Sequence, residues 1–248
     1  MNNLFSLKDK VIIVTGASSG IGRATAIMCS QFGAKVILLG RNEKRLKETL
    51  DSLENEGHVY FSLDLNQDVD VDMFVDKLDK IDGIVHSAGI AQSQLFSFLK
   101  KEDLEDMLNT NFIAPALFTK KIIKKKKIYK NSSIVFISSI SGPKVTFIGG
   151  ASYSASKSAI CGLAKTMALE LAGKGIRVNT VLPGMIETDL INSIDSSSED
   201  IKMDKKKYPL GDYGRPEDVA STVIFLLSPA SKWMTGTDIK LDGGLTLK

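Results

Sequence analysis

The sequence contains few of the residues that build disulfide frameworks or metal centres. Among its 248 residues there are two cysteines, Cys29 and Cys161, and two histidines, His58 and His86. Both kinds of site need more of these residues at closer spacing. We therefore expect two buried thiols and no metal ion.

Long apolar runs and a strong excess of one charge are also missing. No window approaches the roughly 18 apolar residues that a membrane span requires, and the N-terminus lacks the features of a signal peptide. The net charge of +3 is too small to indicate nucleic-acid binding. We expect a cytoplasmic protein that binds neither a membrane nor nucleic acid.

The apolar residues that are present follow an alternating strand and helix pattern. Short runs rich in β-branched residues begin at Val11, Lys35, His58, Gly83, Ser133, Arg177 and Asp238. Helix-length segments with apolar residues every three or four positions separate them. This order predicts an α/β fold, a doubly wound parallel sheet of about seven strands with helices on both faces. No linker divides it, so we expect one domain over residues 1–248.

A long stretch of weak periodicity interrupts this pattern near the C-terminal end. It runs from Glu187 to Asp212 and is rich in Ser, Asp and Lys. Loops of this length in compact domains are usually functional. We expect a substrate loop or lid within residues 185–214.

A glycine-rich segment follows the first predicted strand directly. It reads Thr15-Gly16-Ala17-Ser18-Ser19-Gly20-Ile21-Gly22 and opens a helix. Glycines let the backbone turn sharply and approach a pyrophosphate, and the helix N-terminus offers free amide groups to an anion. The position of the segment in the first strand-to-helix turn therefore predicts a dinucleotide site.

Further motifs occur in a definite order along the chain. They are Asp64 after the third strand, Ala88-Gly89 after the fourth, Asn111 in the next helix, Ser139 after the fifth strand, Tyr153 and Lys157, Pro183-Gly184 with Thr188, and Asp242-Gly243-Gly244. With the TGxxxGxG spacing, this set resembles the short-chain dehydrogenase/reductase family over nearly the whole chain. The resemblance implies a Rossmann-like fold and an oxidoreductase that moves hydride between a nicotinamide dinucleotide and a carbon–oxygen centre.

The same resemblance implies roles at the cofactor site. Asp64 would hold the adenine amino group, Ala88 and Gly89 would line a ribose, and Thr188 would bind the nicotinamide carboxamide. The full predicted set is Gly16, Ser18, Ser19, Gly20, Ile21, Gly22, Arg41, Asp64, Leu65, Ser87, Ala88, Gly89, Tyr153, Lys157, Pro183, Gly184, Ile186 and Thr188. Where the family usually has two asparagines before Ala-Gly, this chain has His86 and Ser87, to which we assign a structural role.

The end of the second strand indicates which cofactor is preferred. An acidic residue there would accept the ribose 2′-hydroxyl of NAD, but this chain has Gly40 followed by Arg41. The Arg41 guanidinium suits a 2′-phosphate. We expect NADP(H), with NAD(H) as the alternative, because Ser19 stands where NADP-preferring relatives often carry a second basic residue.

Tyr153 and Lys157 lie four residues apart, so a helix places them on one face. A nearby ammonium should lower the pKa of the phenol and make it an acid–base group. We predict Tyr153 as the general acid, Ser139 as a hydrogen-bond donor to the carbonyl oxygen and Lys157 as the ribose anchor. Ser139 is preferred over Ser138 because it precedes Gly142 by three residues. By resemblance, Asn111 interrupts its helix and holds a water that relays protons to Lys157.

The substrate is less sharply indicated. Apolar positions favour a pocket for an acyl chain, and they are Phe147, Ile148, Met185, Ile186, Leu190 and Ile194. The layout resembles 3-oxoacyl-acyl-carrier-protein reductases of fatty acid biosynthesis, whose carrier is acidic. A lysine run would suit that partner, although a solvated helix end explains it equally well; it comprises Lys120, Lys121, Lys124, Lys125, Lys126, Lys127 and Lys130.

Two other functions remain open. The first is a sugar or polyol dehydrogenase of the same family, for example one similar to gluconate 5-dehydrogenases. The second is a non-catalytic dinucleotide-binding scaffold, which would predict erosion of the four catalytic positions. Relatives usually form tetramers, so we expect a homotetramer.

Overall fold

The computed structural model describes residues 3–188 and 198–247. A seven-stranded parallel sheet runs through this part of the chain in the order β3-β2-β1-β4-β5-β6-β7. Its strands are β1 (Val11–Thr15), β2 (Lys35–Gly40), β3 (Val59–Ser62), β4 (Ile81–His86), β5 (Ile128–Ile137), β6 (Arg177–Pro183) and β7 (Asp238–Leu241). The predicted doubly wound α/β fold is confirmed.

Helices cover both faces of the sheet. They are α1 (Gly20–Gln31), α2 (Glu43–Leu50), α3 (Asp68–Lys77), α4 (Lys101–Leu108), α5 (Ala114–Lys124), α6 (Ala151–Leu171), α7 (Ser198–Lys205) and α8 (Pro216–Leu227). Neighbouring strand residues face opposite sides, so Ile12 packs with the core under α1 and α8, whereas Ile13 packs with α3 and α5. A further cluster packs β5 and β6 against α6.

One expected interruption is present, and one helix was not expected. The interruption predicted at Asn111 is a π-helical turn over Asn109–Ile113, which separates α4 from α5. Helix α7 lies inside the predicted Glu187–Asp212 loop. It is short and weakly periodic, but acidic residues in its first turn and lysines in its last complement the helix dipole.

The strand order predicts a ligand-binding crevice at the carboxyl ends of the central strands. Strand β1 pairs with β2 on one side and β4 on the other, so the chain order reverses there. In such sheets ligands bind outside the carboxyl ends of the strands at this reversal. Within the described ranges, no helix is long and apolar enough to cross a membrane, and no group of three or more His, Cys, Asp or Glu could hold a metal.

Candidate active site

A cavity of about 820 Å³ opens at the carboxyl ends of the central strands. This volume is in the usual range for small-molecule sites. Every residue of the predicted cofactor set lines it: Gly16, Ser18, Ser19, Gly20, Ile21, Gly22, Arg41, Asp64, Leu65, Ser87, Ala88, Gly89, Tyr153, Lys157, Pro183, Gly184, Ile186 and Thr188. Among the predicted catalytic residues, Ser139, Tyr153 and Lys157 line the cavity, whereas Asn111 lies behind its wall.

The glycine segment forms a concave surface, here called the glycine cradle, that side chains at the glycine positions would fill. Gly16 has a φ of 67°, and a Cβ there would lie 2.7 Å from the Ala88 nitrogen. A Cβ on Gly22 would overlap the Gly16 carbonyl. Helix α1 begins at Gly20 with no side-chain cap from Ser19 and no acidic residue in its first turn, which leaves its amides available. This geometry fits the pyrophosphate of a dinucleotide.

Thr15 supports this cradle, a role that the sequence analysis did not assign. Its Oγ1 accepts hydrogen bonds from the backbone amides of Ser87 and Ala88, each at 3.2 Å. The end of β1 is thereby fixed to the end of β4. A hydroxyl residue immediately before the glycines was the available signal, but its partners lie about seventy residues away along the chain.

Polar groups lie at the other end of the cavity, beyond β2 and β3. Arg41 is exposed on the cavity wall, and Asn42 uses its side chain to cap α2. Asp64 accepts a 3.0 Å hydrogen bond from the Asn66 amide, which orients its carboxylate. Glu43 also lines the wall and accepts a 3.3 Å hydrogen bond from the Tyr60 hydroxyl. This end therefore offers both a cation and acceptor oxygens.

Tyr153 lies in the first turn of α6 with its hydroxyl facing Ser139. Burial raises the pKa of Tyr153, and the hydrogen bond with Ser139 opposes that shift. The expected lowering by Lys157 is therefore not found in this structure. The reason is geometric, because the Lys157 ammonium donates to the Ile137 carbonyl at 3.0 Å and lies 5.7 Å from the centre of the Tyr153 ring.

Lys157 is buried without a carboxylate partner in the described part of the chain. Burial lowers the pKa of its ammonium to about 8. A Cβ on Gly89 would lie 3.5 Å from the Lys157 nitrogen, so glycine leaves the approach from that side open. The amine is thus held at the cavity wall and titrates close to physiological pH.

The two candidate serines have different surroundings. Ser138 donates a 2.8 Å hydrogen bond to the Lys157 carbonyl, which occupies its hydroxyl proton. Ser139 accepts a 3.0 Å hydrogen bond from the Ser141 amide and is the serine whose side chain acts on the pKa of Tyr153. Gly142 has a φ of 103° and packs against the α6 backbone at Ser154, which sets the turn after Ser139. The geometry favours Ser139 as the serine available to a substrate.

Asn111 occupies the π-helical turn and is 1% exposed. Its Oδ1 accepts from the Ile90 amide at 2.8 Å, while its Nδ2 donates to the Ile90 carbonyl at 2.9 Å and to Ser156 Oγ at 3.1 Å. Asn111 therefore links the segment after β4 to α6. Its Oδ1 would also lie 3.0 Å from a Cβ on Gly89, which places it on the same side of that glycine as Lys157.

His86 takes a structural position within the sheet. Its Nε2 lies 2.7 Å from Thr119 Oγ1, and its ring stacks on Phe136 with the centroids 4.6 Å apart. Because the Thr119 hydroxyl donates to the Pro115 carbonyl, it accepts from His86, which makes Nε2 the protonated nitrogen. Nδ1 is buried without a partner, and burial lowers the pKa of His86 to about 3. The side chain is neutral and faces away from the cavity.

An apolar rim borders the cavity beside Tyr153. Phe147 lies with its ring 6.4 Å from that of Tyr153, and the neighbouring Ile148 is exposed. The Gln94 amide donates to the Gly149 carbonyl at 2.9 Å and ties this loop to the exposed Phe96. Met185 and Ile186 continue the wall, whereas the predicted Leu190 and Ile194 lie outside the described residues.

Five lysines of the lysine run fall into two groups. Lys121 and Lys125 pair with acidic residues of α3, and Lys127 donates to the Asp76 and Leu78 carbonyls. Lys126 and Lys130 instead border a second cavity of about 510 Å³ with Lys80 and Lys174. This surface, here called the lysine patch, lies where β5 and β6 begin, at the edge of the sheet opposite the first cavity.

Sequence comparisons with known proteins find relatives that match nearly the whole chain. A family model described as enoyl-(acyl carrier protein) reductase matches residues 16–246. The chain is 38% identical to a 3-oxoacyl-[acyl-carrier-protein] reductase of Thermotoga maritima, covering 97% of this chain and 99% of that protein. It is 34% identical to carbonyl reductase family member 4 of Danio rerio, covering 96% and 99%.

Solved structures match over the whole fold. A short-chain dehydrogenase/reductase of Serratia marcescens superimposes with a TM-score of 0.88 at 28% identity, covering 97% of this chain and 99% of that one. An Agrobacterium tumefaciens protein assigned as a 2-deoxy-d-gluconate 3-dehydrogenase, with bound NADP, superimposes with a TM-score of 0.90 at 29% identity over 100% of both chains. The chain belongs to the short-chain dehydrogenase/reductase family, oxidoreductases that use a nicotinamide dinucleotide to interconvert alcohols and carbonyl compounds.

Proposed function

We propose that this protein is a cytoplasmic NADP-dependent reductase of 3-oxoacyl thioesters carried on acyl carrier protein, acting in fatty acid biosynthesis. One observation carries the reductase assignment: Ser139, Tyr153 and Lys157 meet in the wall of the cavity that the glycine cradle also borders. All four predicted catalytic positions are occupied by the expected residues, which argues against a non-catalytic scaffold.

The side chains divide the chemistry between them. A nicotinamide dinucleotide held by the glycine cradle would supply the hydride when bound. Tyr153 keeps its proton at neutral pH because burial raises its pKa, so it can donate that proton to the carbonyl oxygen. Ser139 donates a hydrogen bond to the same oxygen as negative charge develops there.

Lys157 and Asn111 act where the ribose of the cofactor would bind. Below its lowered pKa, Lys157 is an ammonium at the cavity wall and can bind ribose hydroxyl groups. Asn111 fixes Ile90 and Ser156 and thereby holds the end of β4 against α6. We assign Asn111 the further role of holding a water that returns protons towards Lys157.

Charge at the end of β2 supports NADP(H) over NAD(H). Arg41 is exposed on the wall, and Gly40 brings no carboxylate to repel a 2′-phosphate.

The apolar rim supports a fatty acyl substrate. Phe147 and Ile148 border the approach to Tyr153, and Phe96 lies on the loop tied to them. Apolar surface at a cavity mouth favours an alkyl chain over a polyhydroxylated one because burying unpaired hydroxyls costs free energy. The lysine patch supplies the positive charge that an acidic carrier protein requires.

We also propose a homotetramer. Strand β7 ends the sheet, and Trp233 and Leu169 near it are 98% and 82% exposed. We propose that these two side chains form part of a contact between subunits at this edge of the sheet. The lysine patch and the cavity lie at opposite ends of the strands. A carrier docked on the patch of one protomer would therefore deliver its substrate to the cavity of another protomer in that assembly.

A sugar acid dehydrogenase is the second candidate, favoured by the superposition on the Agrobacterium protein. The assay that separates the two follows oxidation of NADPH or NADH with acetoacetyl and longer 3-oxoacyl thioesters and with 2- and 5-keto sugar acids. We expect turnover of the thioesters with NADPH. Turnover of the keto sugar acids alone would establish the second candidate.

A charge-reversal pair tests the carrier protein. Lys130→Glu with Lys174→Glu should raise KM for a carrier-linked 3-oxoacyl thioester about tenfold or more and leave KM for the corresponding coenzyme A thioester unchanged. Lys120→Glu, outside the patch, is the matched control. Equal KM values for the carrier-linked substrate in all three proteins would show that the patch does not bind the carrier.

A further inference from the structure

One short segment lines the cavity between the glycine cradle and the C-terminal part of the chain. It covers residues 185–188, of which Met185, Ile186 and Thr188 line the cavity wall while Glu187 is exposed. The Thr188 methyl group lies 3.2 Å from where a Cβ on Gly20 would stand. The position of this segment therefore decides how closely Thr188 approaches the cradle.

The backbone of the segment is attached to Gly214. The Gly214 amide donates to the Met185 carbonyl at 3.0 Å, and its carbonyl accepts from the Glu187 amide at 2.8 Å. A Cβ on Gly214 would lie 2.7 Å from the Ile186 side chain, so close packing accompanies these bonds. The Tyr208 hydroxyl accepts a further bond from the Met185 amide at 3.3 Å.

Two carboxylates converge on one ammonium beside this attachment. Lys205, the last residue of α7, lies 2.5 Å from Glu187 Oε1 and 2.7 Å from Asp212 Oδ1. Its ammonium also lies 5.2 Å from the centre of the Tyr213 ring. The hydrogen bonds to Asp212 and Glu187 raise the pKa of Lys205, and the bond from Lys205 lowers that of Asp212. Both pKa shifts favour the charged forms of Lys205 and Asp212.

We propose that Lys205 is a positioning residue that holds residues 185–188 against the cofactor cavity by neutralising Glu187 and Asp212. The proposal rests on the proposed function, in which this cavity takes NADP(H). Lys205 acts through Glu187, which lies between the two wall residues Ile186 and Thr188. The ion pairs of Lys205 therefore join the end of α7 and Asp212 to the segment that lines the wall.

Loss of the Lys205 ammonium should weaken cofactor binding. Without it, Glu187 and Asp212 would repel each other across the Gly214 attachment, which favours displacement of Thr188 from the cradle. Tyr153 and Lys157 lie on α6 and Ser139 lies directly after β5, so these three residues keep their positions. Cofactor affinity should therefore fall more than the rate of the bound complex.

Lys205→Met tests the proposal, with Lys207→Met as its matched control. Lys207 pairs with Asp204 at 2.8 Å and has no ion pair with Glu187 or Asp212. Fluorescence titration should show NADPH binding about three- to tenfold weaker for Lys205→Met, the range for removing two part-exposed ion pairs. The kcat should change by less than about twofold, and Lys205→Arg should restore the affinity.

Ionic strength provides a second test, because salt screens an ion pair but does not affect a purely structural contact. Raising the ionic strength from about 0.05 to 0.5 M should bring the ratio of the two dissociation constants, Lys205→Met over wild type, towards one. Equal NADPH affinity for Lys205→Met and Lys207→Met would overturn the proposal. Failure of the wild type itself to bind NADPH would instead remove the proposed function.

Discussion

At the scale of single residues, burial acts on Tyr153 and Lys157 in opposite directions. It raises the pKa of the phenol, which keeps its proton, and it lowers the pKa of the ammonium, which loses its proton more easily. Both shifts disfavour the charged form of a buried group. The sequence predicted the two residues on one helix face, but the burial that sets their protonation comes from the folded sheet.

The pH dependence of the reaction should follow Lys157. Its lowered pKa of about 8 means that the positive charge is present below this pH and is lost above it. We expect kcat/KM for NADPH-dependent reduction to be constant below about pH 8 and to fall roughly tenfold per pH unit above it. Tyr153, with its raised pKa, loses its proton at higher pH. A kcat/KM profile that stays flat up to pH 10 would contradict this assignment.

His86 should make stability depend on pH. The pKa of His86 is about 3 in the folded protein, whereas its ordinary value is 6.5. Below pH 6.5 the imidazole is therefore protonated in the unfolded chain but stays neutral in the folded protein. Stability should therefore fall between pH 6.5 and 3, by about 2 kcal/mol at pH 5. Urea unfolding at pH 7.5 and 5.0 measures this loss. His86→Asn should lack it, and an equal loss in both proteins would assign it to other groups.

At the scale of elements, the turn between β1 and α1 depends on glycine for close approach. A Cβ on Gly22 would overlap the Gly16 carbonyl, and relief would require the backbone to move. We expect Gly22→Ala to weaken NADPH binding by about a hundredfold or more, since the phosphate-binding amides would be displaced. Gly162→Ala, in α6 with nothing within 4 Å of the new Cβ, is the control for calorimetric titration. Unchanged affinity in Gly22→Ala would place the pyrophosphate elsewhere.

The sequence predicted the strands better than the segments between them. Continuous β-branched runs marked the buried strands, although β5 begins at Ile128, before the run at Ser133, because Ile128 pairs with Ile81 of β4. Helix α7 was read as loop, since its mean hydropathy is low and its periodicity weak. Ion pairs of Lys205 with Glu187 and Asp212, which both lie outside the helix, hold it instead.

At the scale of the whole molecule, the sheet separates two surfaces of different chemistry. The first cavity lies at the carboxyl ends of the strands and the lysine patch at the amino ends of β5 and β6. The sequence showed a lysine run but not its division, because Asp68, Asp72 and Asp76 of α3 neutralise part of it only once α3 packs beside α5. Lys80 and Lys174 join the remaining lysines only through the fold.

The central claim is that Tyr153 supplies the proton for carbonyl reduction in this cavity. The most direct measurement is NADPH oxidation with a 3-oxoacyl coenzyme A thioester, which needs no carrier protein, by wild type and by Tyr153→Phe, with Tyr129→Phe, at the lysine patch, as the control. We predict that Tyr153→Phe lowers kcat by about 10² to 10⁴, the usual contribution of a general acid, while NADPH still binds. Wild-type activity in Tyr153→Phe would contradict the account.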